Sequence, residues 1–368
     1  MKLWPAALVL PERTLSGAGI INQILAECAA FGRRGLLVHG RSLARHGTVA
    51  SILSAAPAGL QVTAWQHTGG EPTLEDLAEL LQAARQQRAE WVAGVGGGSV
   101  LDLAKACAGL FHAAQPLAAY HAGAALEKRG LPFIAAPTTA GTGSEATLNS
   151  VLTDTDLRIK KSMRDPQFIA RLVLLDPELL RHCPPAIIAQ AGMDALTQAL
   201  EVFTSRHATW LSDVVALKGV ELIAANLEAV YRGASAEEAL GLLAGSYLSG
   251  VGLSMARLGV VHGLAHPLGL RYQAAHGLVC GICLPHAIAL YRAAMGGKYA
   301  ALSQAVGADL LTWTQGLGER LALRSPFKGR SLNDKEAIIQ ETLASGSTQA
   351  NPQPITAADV EWLLEQLF

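Results

Sequence analysis

The sequence predicts an N-terminal α/β domain followed by an all-helical domain, because its periodicity changes part-way along the chain. Up to about residue 180, short aliphatic or β-branched runs alternate with amphipathic helices, which is typical of a parallel, doubly wound sheet. After Pro184 and Pro185, helical periodicity dominates and clear strands disappear. A chain of 368 residues is long enough for two cores. We therefore expect domains at residues 1–180 and 181–368.

Within the first domain, five runs have the composition of buried strands. They are GLLVHG (35–40), QVTAWQ (61–66), WVAGVG (91–96), PFIAAP (132–137) and RLVLLD (171–176). Helices are predicted over residues 19–31 and 74–88, and Thr356 is the predicted cap of a closing helix. Because parallel sheets bind ligands at the carboxyl ends of their strands, we expect a site in the loops that follow these runs.

Composition excludes several classes of partner. With 29 basic and 30 acidic residues, the net charge of −1 gives no electrostatic feature for nucleic acid or an anionic membrane. The apolar run near the N-terminus is interrupted by Pro5 and Pro11 before a membrane span could form. The five cysteines are scattered, as is usual where thiols stay reduced. We expect a cytoplasmic protein without nucleic-acid or membrane partners.

The segment 261–276 carries three histidines, His262, His266 and His276. His262 and His266 stand four apart, so on a helix their rings share one face. Imidazole both binds transition metals and moves protons near neutral pH. A single histidine on an apolar helix is more often a hydrogen-bonded core residue, but three together favour a functional site.

An acidic partner for these histidines lies upstream in AGMDALTQALE (191–201), where Asp194 and Gln198 again stand four apart. A carboxylate with two or three imidazoles forms a mixed oxygen and nitrogen shell that suits zinc or ferrous iron. Alternatively, Asp194 could cap a helix that starts after Gly192. Cys280 and Cys283 form a CxxC in an apolar run without a second CxxC, and we interpret them as buried core thiols rather than a redox or zinc motif.

Two glycine-rich loops follow predicted strands. In GVGGGSVLDLAK (94–105), the glycines allow close approach to a phosphate, and Ser99 begins a helix whose free N–H groups attract anions. Ser99 and Asp102 also match a capping pattern, so helix initiation explains part of this signal. The second loop, PTTAGTGSEATLN (137–149), is rich in hydroxyl groups and could be a polar connection with side-chain turns. Two such loops on adjacent strand ends favour a dinucleotide site.

In these two loops and in its aspartate and histidine residues, the chain resembles the iron-containing (group III) alcohol dehydrogenase family, and the resemblance extends over essentially its full length. The motifs that carry the resemblance are GEPT (70–73), GGGSVLDLAK (96–105), PTTAGTGSE (137–145), DPELL (176–180), GMDALTQALE (192–201), HGLAHPLG (262–269), HG (276–277) and NPQPIT (351–356). The resemblance implies the dehydroquinate synthase-like fold, with a Rossmann-like NAD(P)-binding domain and an all-α metal-binding domain. It also implies a homodimer or a larger homo-oligomer.

The resemblance also implies roles for individual residues. His266 would be the catalytic residue beside the nicotinamide and substrate, and the metal ligands would be Asp194, Gln198, His262 and His276. The cofactor-binding residues would be Gly40, Arg41, Gly97, Gly98, Ser99, Asp102, Thr138, Thr139, Thr142, Asn149 and Lys160. One departure matters, because the family has histidine where this chain has Gln198. An amide oxygen is a poorer ligand than imidazole, so zinc, iron and a weakly metallated site all remain open.

We therefore expect an NAD(P)-dependent alcohol dehydrogenase or aldehyde reductase acting on a small alcohol or aldehyde. Gly40 stands where an acidic residue would select NAD, and Arg41 and Arg45 follow it, which favours NADP(H) unless both arginines are simply solvated. Two alternatives are a metal-independent reductase that resembles maleylacetate reductases, and a non-catalytic nucleotide-binding homologue.

Overall fold

The structure is a computed structural model that describes residues 2–157, 159–233 and 235–368. It divides into two compact units. One, here called the α/β unit, consists of Val9–Thr139 and Ser144–Cys183. The other, the helical unit, consists of the N-terminal segment up to Leu8, the short stretch Ala140–Gly143, and Pro184–Phe368.

The α/β unit contains the strands and six of the helices of the described chain. The strands are β1 (Arg13–Ser16), β2 (Arg34–Gly40), β3 (Gln61–His67), β4 (Trp91–Gly96), β5 (Phe133–Pro137), β6 (Asn149–Asp154), β7 (Ile159–Arg164) and β8 (Leu172–Leu175). The helices are α1 (Ile24–Cys28), α2 (Arg41–Arg45), α3 (Thr48–Ser54), α4 (Leu74–Gln86), α5 (Gly98–Gly109) and α6 (Leu117–Ala122). Short 3-10 turns lie at Ile20–Gln23, Ala29–Phe31, Ser144–Ala146, Pro166–Phe168 and Pro177–Leu180.

The main sheet has the order β1-β8-β5-β4-β2-β3, and all of its pairs are parallel. This confirms the predicted fold of the unit, and β2, β3, β4, β5 and β8 fall on the five predicted runs. Strand β4 is buried along its whole length, as expected for a continuous apolar run covered on both faces. Its carboxyl end leads directly into α5, which places the first glycine-rich loop at the sheet edge where ligands bind.

Three features of this unit differ from the prediction. β1 was missed because its four residues, RTLS, are mostly exposed and carry no apolar run. The antiparallel hairpin of β6 and β7 was missed because β7, IKKSMR, is largely polar and exposed. The predicted helix over residues 19–31 is divided into a 3-10 turn, α1 and a second 3-10 turn.

The helical unit contains nine helices in the part of the chain that the structure describes. They are α7 (Pro185–Thr204), α8 (Trp210–Tyr231), α9 (Ala236–Met255), α10 (Val260–Tyr272), α11 (His276–Met295), α12 (Gly297–Val306), α13 (Leu310–Arg320), α14 (Lys335–Ala344) and α15 (Ala357–Leu367). A 3-10 turn lies at Thr348–Ala350. Helix α7 is central, since α8, α9 and α11 all pack against it and its second half is buried. The predicted cap of α15 is confirmed, because Thr356 forms a capping box with Asp359.

Helix α11 is long and apolar enough to cross a membrane by length and composition, and α9 and α10 pass the same test as a bent pair. Half of the apolar window of α11 is buried inside the protein. Because α11 packs against α7, α10 and α15, its apolar composition is explained by packing within the helical unit.

Candidate metal centre and nucleotide site

Three helices of the helical unit bring Asp194, His262 and His276 together. Asp194 lies in the buried half of α7, His262 in the first turns of α10, and His276 at the start of α11. The Nε2 atoms of His262 and His276 lie 3.3 Å and 3.6 Å from Asp194 Oδ1. The residues predicted from two distant sequence segments therefore converge on one carboxylate oxygen. The alternative interpretation of Asp194 as a helix cap is wrong, because α7 already begins at Pro185.

Glycines permit this convergence. A Cβ atom at Gly277 would lie 2.2 Å from the carbonyl oxygen of Gln190, and one at Gly281 would lie 3.0 Å from the Cβ of Met193. Larger residues at these positions would force α11 away from α7. The close approach is what brings the first turn of α11 to Asp194.

Glu201 orients His262 from the side opposite Asp194. Its buried carboxylate lies 2.6 Å from His262 Nδ1 and accepts the backbone N–H of Val261 at 2.7 Å. Because a carboxylate only accepts, Nδ1 donates to Glu201, and Nε2 is the ring nitrogen that faces Asp194. Metal-binding histidines usually have such a carboxylate behind them. Sequence reasoning missed Glu201, although it lies two helical turns from Asp194 on the same helix.

The electrostatics of the cluster favour a cation between its members. Burial lowers the pKa of His262, but the negative charges of Glu201 and Asp194 outweigh it and raise that pKa to about 10. Burial raises the pKa of Asp194, but the two histidines outweigh it and lower that pKa to about 2. A positive charge at the His262 Nε2 side of Asp194 is therefore stabilised.

Asp194 Oδ1 is the atom that tests whether a metal fits. Asp194 is only 5% exposed, and within the described residues no hydrogen bond reaches Oδ1. A buried carboxylate oxygen without a hydrogen bond is costly unless a cation neutralises it. With two imidazole nitrogens directed at the same point, the donor set fits a divalent metal ion.

Gln198 lies one turn beyond Asp194 on α7 and is buried. Its Nε2 donates to the carbonyl oxygen of Thr142 at 3.2 Å and to Ser249 Oγ at 2.8 Å. A backbone carbonyl only accepts, so the nitrogen end of the amide is directed at Thr142. The amide oxygen is then the one atom with which Gln198 could serve as the predicted metal ligand.

Cys280 is a fourth member of the cluster. It is fully buried, its Sγ lies 3.7 Å from His276 Nε2, and the ligand atoms of Asp194, His262, His276 and Cys280 all lie within 4.8 Å of one another. Burial and the charges of Asp194 and Glu201 raise the pKa of the Cys280 thiol. The sequence predicted a buried thiol and missed its place in the cluster. The available signal was its position one helical turn after His276.

His266 lies on the same helix as His262 but is exposed. Its ring centroid is 5.2 Å from that of His276. The predicted proton-transfer residue is therefore at the solvent-facing side of the cluster.

In the α/β unit, the first glycine-rich loop forms the tight turn between β4 and α5. A Cβ atom at Gly96 would lie 2.5 Å from the Cβ of Val100, so the turn requires glycine there. Gly97 is the N-cap, α5 begins at Gly98, and among the described residues no side chain caps this helix. Its first N–H groups are therefore available to an anion, as Gly97, Gly98 and Ser99 were predicted to provide.

Asp102 does not cap α5, so that interpretation is wrong. Its carboxylate instead accepts Ser144 Oγ at 2.6 Å and the backbone N–H of Val151 at 3.0 Å. Burial raises the pKa of Asp102, and the nearby ammonium groups of Lys105 and Lys160 oppose that rise. Asp102 therefore joins the loop to the β6–β7 hairpin.

Lys105 extends this network, and sequence reasoning missed its role. It is fully buried, and burial lowers its pKa to about 8 against the opposing charges of Asp102 and Glu145. Its Nζ donates to Thr147 Oγ1 and to the carbonyl oxygens of Ser144, Thr147 and Asn149. One ammonium group thus fixes residues 144–149 of the second loop against α5.

The other predicted cofactor residues lie around this framework, with one exception. Thr138 and Thr139 directly follow β5, and a Cβ atom at Gly97 would lie 3.4 Å from Thr139 Oγ1. Asn149 begins β6, and Lys160 lies on β7, where it pairs with Glu71 at 2.7 Å. Thr142 instead belongs to Ala140–Gly143, which is part of the helical unit.

Gly40 and Arg41 lie at the carboxyl end of the sheet. Gly40 ends β2, and Arg41 begins α2 with an exposed side chain. A Cβ atom at Gly69 would lie 2.8 Å from Arg41 Nη2, so the guanidinium lies over the backbone that follows β3. This guanidinium is solvent-accessible and able to pair with an anion.

Comparison with known proteins shows the family to which the chain belongs. The sequence matches the iron-containing alcohol dehydrogenase family over residues 11–177 and the C-terminal part of the Fe-containing alcohol dehydrogenase family over residues 188–368. The chain belongs to the iron-containing alcohol dehydrogenase family. It is therefore a member of a family of alcohol oxidoreductases.

Several relatives match the chain along almost their whole length. Long-chain-alcohol dehydrogenase 1 of Geobacillus thermodenitrificans is 34% identical, with 99% of this chain and 97% of the relative covered. Lactaldehyde reductase of Escherichia coli K12 is 30% identical, with coverage of 96% and 97%. Among solved structures, sulfoacetaldehyde reductase from Bifidobacterium kashiwanohense in complex with NAD+ is 26% identical, with a TM-score of 0.93 and coverage of 100% and 99%.

Proposed function

We propose that the protein is a metal-assisted, NAD(P)-dependent alcohol dehydrogenase or aldehyde reductase. Hydride would pass between the nicotinamide and the carbinol carbon of a small alcohol or aldehyde. The observation that carries this proposal is Asp194 Oδ1, a buried carboxylate oxygen without a hydrogen bond, with the Nε2 atoms of two histidines directed at it. A second copy of the chain in a homodimer or larger assembly, and a cytoplasmic location, are part of the same proposal.

In the metal centre, Asp194, His262 and His276 would hold a divalent ion, zinc or iron(II). When bound, such an ion supplies Lewis-acid stabilisation of negative charge on the substrate oxygen. Glu201 keeps His262 in the tautomer that presents Nε2. His266 is exposed beside His276, so it is suited to exchange the alcohol proton with water.

In the α/β unit, the N–H groups of Gly97, Gly98 and Ser99 at the start of α5 would receive the pyrophosphate. Asp102 and Lys105 would act by fixing the second loop rather than by touching the cofactor. Thr138, Thr139, Thr142, Asn149 and Lys160 would line the remainder of the site. A relative of known structure was solved with NAD+, which supports a nicotinamide cofactor.

The choice between NAD and NADP would be made at the end of β2. Gly40 offers no carboxylate to repel a 2′-phosphate, and the exposed guanidinium of Arg41 can pair with it. We therefore propose a preference for NADP(H).

The test is to measure oxidation of NADPH and NADH with a panel of small aldehydes, together with the metal content of the same freshly purified protein. We expect turnover with at least one aldehyde and about one divalent ion per chain. Turnover that persists without metal would favour a metal-independent reductase. Binding of NADPH without any turnover across the panel would favour a non-catalytic homologue.

A further inference from the structure

Asp194, His262 and His276 provide three donors, and a catalytic ion that accepts a fourth protein donor can still take the substrate oxygen by becoming five-coordinate. Among the described residues, the atom best placed to be the fourth donor is the Sγ of Cys280. It lies 3.7 Å from His276 Nε2 and within 4.8 Å of the ligand atoms of the other three residues. Thiolate sulfur is a strong ligand for zinc and forms longer bonds than nitrogen or oxygen. The spread of these four side chains is compatible with one shared ion.

The helix geometry explains why Cys280 points to this centre. His276 and Cys280 stand one turn apart on α11, so their side chains share a face. On the neighbouring face, Gly277 and Gly281 allow α11 to approach α7 at Gln190 and Met193. The approach that brings His276 to Asp194 therefore brings Cys280 with it.

Gln198 is less well placed to be the strong fourth donor. Its Nε2 donates to the Thr142 carbonyl and to Ser249 Oγ, and these two hydrogen bonds restrict rotation of the amide. The amide oxygen that remains is a weaker donor than a thiolate for zinc. The Cys280 sulfur on α11 is therefore a stronger zinc donor than the Gln198 amide oxygen on α7.

We propose that Cys280 binds the metal as a thiolate and is the fourth protein donor beside Asp194, His262 and His276. This inference rests on the proposed metal-assisted function. On binding, the S–H bond breaks, its proton passes to solvent, and the sulfur electron pair forms the bond to the ion. No change of oxidation state is involved. The sulfur ligand shifts the selectivity of the site towards zinc and away from iron(II).

The test replaces the native ion with Co²⁺ after chelation and records the absorption spectrum of the full-length protein. Thiolate ligation gives Co²⁺ a sulfur-to-metal charge-transfer band in the near ultraviolet, which carboxylate and imidazole ligands do not give. We expect about one Co²⁺ per chain together with this band. In Cys280→Ser, the band should disappear and the affinity for Zn²⁺ should fall roughly 10- to 100-fold.

Cys283→Ser is the matched control, because Cys283 is also buried on α11 but lies outside the cluster. This variant should keep both the band and the Zn²⁺ affinity of the parent. If Cys280→Ser does not fold, the spectra of the parent and of Cys283→Ser still decide the question, since a band in both leaves Cys280 as the cluster sulfur.

The outcomes separate this inference from the function on which it rests. Co²⁺ that binds at one per chain without the charge-transfer band would overturn the role of Cys280 and leave the proposed metal-assisted function intact. A band that survives in Cys280→Ser would overturn it in the same way. Protein that binds no Co²⁺ or Zn²⁺ at all would overturn both.

Discussion

The two units each contain a buried polar network, and the networks differ in how completely their members are paired. In the α/β unit, Lys105 donates to four oxygen atoms and the Asp102 carboxylate accepts two hydrogen bonds. In the helical unit, Asp194 Oδ1 has no hydrogen-bond partner among the described residues, although two histidines face it.

The difference separates a scaffold from a binding centre. Side chains that satisfy one another stabilise a loop and leave only its backbone free to meet a ligand. A buried carboxylate oxygen that no side chain reaches with a hydrogen bond is stabilised when a cation arrives beside it. We therefore expect mutations in the first network to affect folding and mutations in the second to affect metal and turnover.

The largest expected effect is that of Asp194→Ala. The variant should lose bound metal and roughly 1000-fold in turnover, since the Lewis-acid contribution is worth about 4 kcal/mol. Its melting temperature without metal should change little, because Glu201 still accepts the Nδ1–H of His262 after the Asp194 carboxylate is removed. Metal analysis, turnover and thermal unfolding measure the three quantities.

Glu221→Ala is the control for Asp194→Ala, because Glu221 is a solvent-accessible carboxylate of the helical unit paired with Lys218. It should leave metal content and turnover unchanged. Full turnover in metal-free Asp194→Ala would exclude a role for the metal.

Lys105→Met should lower the free energy of unfolding and leave metal binding unchanged, which is the opposite of the result expected for Asp194→Ala. Removing the ammonium group leaves the buried Asp102 carboxylate without its opposite charge and several carbonyl oxygens without a donor, which costs about 3–5 kcal/mol in the free energy of unfolding. The metal content of the protein that remains folded should match that of the parent. Denaturant unfolding and metal analysis would measure both.

Lys218→Met, which removes a lysine from an exposed ion pair, should change the free energy of unfolding by less than about 1 kcal/mol. If Lys105→Met were as stable as Lys218→Met, the buried network would not have the structural role assigned to it.

Gln198→His should raise the affinity for Zn²⁺ or Fe²⁺ by about tenfold, or about 1.4 kcal/mol, because imidazole replaces a weak oxygen donor. Competition with a chelator measures the change. Gln304→His adds a histidine at an exposed position of α12 and should have no effect. Loss of metal from Gln198→His at the chelator concentration that strips the parent would mean that residue 198 does not face the ion.

The smallest effect is expected for Arg41→Ala. The ratio of kcat/KM for NADPH to that for NADH should fall about tenfold, since an exposed guanidinium–phosphate pair is worth about 1.4 kcal/mol. Arg33→Ala, at the other end of β2, should leave the ratio unchanged. A parent that prefers NADH would refute the assignment outright.

Local patterns were enough to predict the parallel sheet, the helical second half and the convergence of Asp194 with His262 and His276. Each of these depends on periodicity or on residue chemistry within a short segment. The same local patterns also showed the resemblance to the family, which the comparisons confirm.

Residues whose role depends on long-range packing could not be predicted. Cys280 lies beside Asp194, His262 and His276 only because Gly277 and Gly281 bring α11 against α7. Lys105 is buried only because residues 144–149 return over α5. Neither contact leaves a periodic signal in the sequence, so both side chains were interpreted from their immediate neighbours.

The central claim, that turnover depends on a metal held by the helical unit, is tested most directly by stepwise chelation. Metal per chain and aldehyde reduction would be measured in the same samples as the chelator concentration rises, and again after Zn²⁺ or Fe²⁺ is returned. We predict that turnover falls in proportion to bound metal and recovers with it. Undiminished turnover in protein with no measurable metal would contradict the claim.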